Sequence, residues 1–70
     1  KIVKYYVYGR SGPSEVFERI AELSEMPEMS GYIGKPLSKK EVVTEVKVCK
    51  MIIDNFTHKT EWYYGKKKLV

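Results

Sequence analysis

The chain lacks the features that stabilise or activate small proteins in familiar ways. In 70 residues it has one cysteine, Cys49, and one histidine, His58. A single cysteine excludes an internal disulfide, and one cysteine with one histidine does not furnish a zinc site. No apolar run approaches the roughly 18 residues of a membrane span, and the first residues lack the apolar stretch of a signal peptide. The missing disulfide framework fits a reducing cytosol, so a cytoplasmic location is expected. No GxGxxG or GxxxxGK[ST] pattern occurs, and no spacing sets a nucleophile beside a base. No cofactor, no metal and no enzymatic activity are expected.

Seventy residues make a single domain, 1–70. A chain this short buries only about 60% of its unfolded surface, so the core is thin and a homodimer would help it. The net charge is +4 and the pI ≈ 9.2. The charge is uneven. Residues 11–30 carry five glutamates against Arg19, and every other stretch is basic. A polyanion must therefore approach away from residues 15–28.

Residues 2–9 are rich in β-branched and aromatic types and read as a strand. Val3, Tyr5 and Val7 share one face, and Lys4, Tyr6 and Tyr8 the other. Gly9 to Gly12 is expected to end it. Ser11-Gly12-Pro13-Ser14-Glu15 then reads as a helix start, with Pro13 in the first turn. As far as Ser24, Val16, Phe17, Ile20 and Leu23 fall on one helical side, and Glu15, Glu18, Glu22 and Glu25 on the opposite side. Pro27 stops that helix. Residues 26–40 read as a loop whose Met26, Met29, Tyr32, Ile33 and Leu37 should pack on the fold or meet a partner.

Residues 42–53 admit two readings. Ser38-Lys39-Lys40-Glu41 matches a helix capping box, and Val42, Val46, Cys49, Ile53 and Phe56 recur at helical intervals. Against this, seven of the twelve residues are β-branched, which suits a strand. Alternation slips near Cys49 and Lys50, where a bulge would restore it. The next segment favours the strand: Asp54-Asn55 opens a turn, and His58 can take the left-handed position that glycine usually fills. The expectation is an α+β fold of order β–α–β–β. Strands at 2–9, 42–54 and 59–69 form a small antiparallel sheet packed on one amphipathic helix.

If 38–56 were helical, the element order would resemble a ribbon-helix-helix repressor. That resemblance implies a homodimer paired through the first strand, with Lys4, Tyr6 and Tyr8 pointing into a DNA groove. The 26–37 loop and the 57–70 extension depart from the pattern.

Rings and cations cluster at Tyr6, Tyr8, Arg10 and again at Trp62, Tyr63, Tyr64, Lys66, Lys67, Lys68. Sheet-borne rings can stack on unpaired bases while cations hold phosphates. In the plainer reading, half the rings are core and the lysines keep an edge strand soluble. The glutamate stripe is in the first place a solvated face, the 9–13 segment an ordinary connection, and Cys49 a small buried apolar residue.

The functional expectation is a non-enzymatic small binding protein. Short basic chains of this type are often encoded by phages or mobile elements to bind and occlude a host protein. A protein partner would meet Tyr6, Tyr8, Arg10, Met29, Tyr32, Trp62 and Tyr64. The alternative is nucleic-acid binding through Lys4, Tyr6, Tyr8, Lys66, Lys67 and Lys68.

Overall fold

A computed structural model gives the fold and describes residues 1–37 and 41–69. The strands are β1 (Ile2–Arg10), β2 (Glu18–Leu23), β3 (Glu45–Ile53), β4 (Thr60–Tyr64) and β5 (Lys67–Leu69). They form one antiparallel sheet in the order β2-β1-β3-β4-β5. Among the described residues the one helical element is a short 3-10 turn, Met29–Tyr32, so the fold is nearly all-β rather than α+β. Among the described residues, no helix is long and apolar enough to cross a membrane.

The expected amphipathic helix is the main correction. Its C-terminal half is β2, paired with β1 from Tyr5↔Leu23 to Gly9↔Glu18. The register shifts between Val7 and Tyr8, so Glu22 lies opposite Tyr6 while Arg19 lies opposite Tyr8. Two steps along β1 thus match three along β2, which is what a bulge does. The bulge therefore gives residues three apart a common face, and the sequence pattern imitates a helical period.

The strand reading of the valine-rich segment holds over Glu45–Ile53. Its pairing with β1 runs unbroken from Ile2↔Ile53 to Arg10↔Glu45, so no bulge is needed at Cys49 or Lys50. The alternation looked broken because both faces of β3 are partly apolar. The strand also removes the element order on which the ribbon-helix-helix resemblance rested. The capping-box positions 38–40 lie outside the described residues.

The turn after β3 forms as anticipated. Asp54 Oδ1 accepts the N–H of Phe56 at 2.8 Å and of Thr57 at 3.2 Å, and His58 sits at φ 60. The single strand expected over 59–69 is two strands. Gly65, at φ 61, and Lys66 reverse the chain between Tyr64 and its partner Lys67. Glycine with positive φ at the first position of a two-residue loop suits a type II′ hairpin turn.

β1 continues through Gly9 instead of ending there. A side chain at Gly9 would meet Ile20 Cδ1 and Val43 Cγ1 at 3.1 Å, so its absence lets these two pack on the strand. One sheet face is largely aliphatic, with Val7 and Val48 buried, Val43 buried beside Gly9, and the 3-10 turn packed against β3. The other face buries Tyr6, Cys49 and Met51. The core is thus two thin layers, one on each side of a single sheet.

Candidate functional site

Strand register builds the second face row by row. Lys4, Met51, Trp62 and Leu69 form one row across the sheet. Glu22, Tyr6, Cys49, Tyr64 and Lys67 form the next. Arg19, Tyr8 and Lys47 follow, and Arg10 faces Glu45 at the end. Tyr6, Tyr8, Arg10, Trp62, Tyr64 and Lys4, all singled out from the sequence, therefore share this aromatic face. Tyr6 and Trp62 pack with ring centroids 5.3 Å apart, within the usual range for aromatic pairs.

The other predicted residues lie elsewhere. Met29 and Tyr32 belong to the 3-10 turn, and Met29 lines a shallow cleft with Val46 and Val48 on the aliphatic side. Lys66 is in the turn after β4, and Lys68 lies opposite Tyr63, 3.9 Å from Glu61. Of the three lysines, Lys67 alone shares the row of Tyr64 and Tyr6.

Three members escaped the sequence reading. Phe17 and Arg19 were assigned to the helix that does not form. Lys47 shows in the alternation of β3 but carries no motif. Phe17 stands just before β2 and lies under the Arg10 guanidinium, 4.3 Å from its ring centroid. The Arg19 guanidinium lies 5.1 Å from the Tyr6 ring. Lys47 Nζ sits among three rings, 4.5 Å from Phe17, 5.8 Å from Tyr8 and 5.9 Å from Tyr64.

Two cations on this face are matched by carboxylates, and Arg19, Lys47 and Lys67 leave it net positive. Arg10 holds the Glu45 carboxylate through two nitrogens, at 2.8 and 3.2 Å, and lies 3.4 Å from the carbonyls of Pro13 and Glu15. Lys4 is 3.5 Å from Glu22. Interaction of the Tyr6 hydroxyl with the Glu22 carboxylate opposite raises the phenol's pKa, with burial adding to it, and lowers that of the carboxylate.

A groove of about 590 Å³ opens on the face between Phe17, Tyr8, Trp62 and Leu69, with Lys47 and Arg10 at its side. Among the described residues, no group of three His, Cys, Asp or Glu is placed to hold a metal ion. His58 serves its turn, and Cys49 is a free, buried thiol.

Fold and site together define a small antiparallel β-sheet protein with one aromatic, grooved face. No family model matches the chain, and no curated protein and no solved structure is similar to it at a significant level.

Proposed function

We propose that the protein is a non-enzymatic binding module that works by occlusion, laying its aromatic face on a partner protein. The observation that carries this reading is the composition of that face. Tyr8, Phe17 and Trp62 line an open groove, Tyr6 and Tyr64 lie on the same face, and two of the neighbouring cations are matched by carboxylates, Arg10 by Glu45 and Lys4 by Glu22. Rigid rings with a polar, partly ion-paired rim are the make-up of protein interfaces. Small size and an aromatic face support simple coverage of a host target, as phage- or mobile-element-encoded inhibitors act. The free thiol of Cys49 suits action in a reducing cytosol.

Nuclease-treated lysate passed over immobilised protein tests the reading. A stoichiometric protein should be retained by the wild type and by Phe56→Ala, and lost with Tyr64→Ala. Equal retention by Tyr64→Ala places the contact elsewhere and refutes this use of the face. A second reading, single-stranded nucleic-acid binding, is favoured by Lys47, Arg19 and Lys67 beside the same rings. Capture that nuclease abolishes, and that weakens steeply with salt, would favour it.

A further inference from the structure

The groove on the aromatic face has walls of one kind and charge of another. Its volume of about 590 Å³ matches sites that enclose a compact ligand or a large side chain. Phe17, Tyr8, Trp62 and Leu69 supply flat or apolar walls. The two cations beside it are not equivalent. Arg10 is spent on Glu45 and lies close to two backbone carbonyls. Lys47 is held only by rings, and among the described residues no carboxylate lies within ion-pair distance of it. Rings attract an ammonium but leave its charge uncompensated, and they displace part of its water. An anion arriving there gains more than it would at an open surface lysine.

We propose that this groove takes an acidic peptide segment of the partner, with a large apolar side chain between Phe17 and Trp62 and an adjacent carboxylate on Lys47. The assignment rests on the protein-binding reading above and names the chemistry of the partner. Within the groove lining one unmatched cation suits one carboxylate. A nucleic-acid strand needs a row of free cations along its path; Arg19 and Lys67 share the face but do not line the groove, while Glu15 lines it and Glu45 sits on Arg10 beside it.

Trp62 is the only tryptophan, so its fluorescence reports occupancy directly. The probes are N-acetylphenylalanine, which carries a ring and one carboxylate, its neutral amide, and thymidine 5′-monophosphate. The acid should give a saturable change with a Kd of about 1 mM, as expected for so small a ligand. The amide, and the acid with Lys47→Gln, should each bind about tenfold more weakly, the loss of one charge-assisted contact. Lys47→Arg should restore binding, and far-ultraviolet circular dichroism of each variant separates lost binding from lost folding. Equal binding of acid and amide, indifference to Lys47→Gln in a folded variant, or no saturable change overturns the assignment. Preference for the nucleotide also overturns it and moves the groove to the nucleic-acid reading. If partner capture depends on Tyr64 and not on Lys47, the groove assignment fails while the sheet-face function stands.

Discussion

At the residue scale, two backbone positions carry clear energetic consequences. His58 adopts φ 60 in a turn that Asp54 holds through two backbone N–H groups, while Thr57 Oγ1 accepts the Lys59 N–H at 3.3 Å. An L-residue in the left-handed region costs about 1–2 kcal/mol, least for those with short polar side chains and most for β-branched ones. His58→Val should therefore destabilise by about 1–2 kcal/mol, and His58→Gly should leave stability unchanged or raise it by up to about 1 kcal/mol, read by urea unfolding. Gly9 is limited by space instead of dihedral angle. Gly9→Val must push into Ile20 and Val43 and should cost about 1–3 kcal/mol. Gly12 has nothing within 4 Å of an added Cβ, so Gly12→Ala is the matched control and should change little.

At the scale of elements, what the sequence revealed follows from which interactions are local. The turn at Asp54–His58 was legible because its chemistry lies within five residues. The faces of β1 and β3 were legible because alternation survives in the letters. β2 was not, because its bulge spreads Arg19 and Glu22 three apart on one face, and only the partner strand reveals that. The site inherited the same blind spot: Phe17 and Arg19 went with the lost helix, and Lys47 gains meaning only from rings on three other segments. Gly65 fell inside the single strand expected over 59–69, although it is the turn residue that separates β4 from β5. Gly65→Val should raise the cost of that turn by about 1–2 kcal/mol. Because β5 sets Leu69 opposite Trp62, its loosening should shift Trp62 emission to the red and speed amide exchange at Lys67–Leu69, with less effect in β1 and β3. Unchanged emission and exchange would mean the hairpin does not depend on the glycine.

At the scale of the molecule, the sheet is long and thin. It spans 42 × 21 × 21 Å with a radius of gyration of 13.3 Å, against about 11 Å for a compact chain of this length. Tyr6, Cys49 and Met51 are core and part of the proposed contact face at once, so binding is better probed at half-exposed Tyr64 and Lys47 than at Tyr6. So little burial leaves stability open to pH. The carboxylates of Glu22, Asp54 and Glu61 are held below their ordinary values, by the Tyr6 hydroxyl, by the Phe56 and Thr57 amides, and by the Tyr63 hydroxyl respectively. Their contribution is present above the unfolded values of 4.5 for glutamate and 3.8 for aspartate, and is lost as pH falls through the lowered folded values. Tyr6 and Tyr63 are raised above 10.0 by the same carboxylates, Glu22 and Glu61. Their contribution is present below that value and is lost as pH rises through the raised folded ones. The melting temperature should hold a plateau between about pH 5 and 9 and fall on both sides. Each tyrosine–glutamate pair feeds both limbs, so one change should alter both. Tyr63→Phe leaves Glu61 without its hydroxyl donor and removes one titrating phenol. The acid and alkaline declines should both become shallower, and Asp54→Asn, which keeps an oxygen acceptor for the turn, should flatten the acid decline alone. A Tyr63→Phe profile changed on only one side would show that the two groups titrate independently.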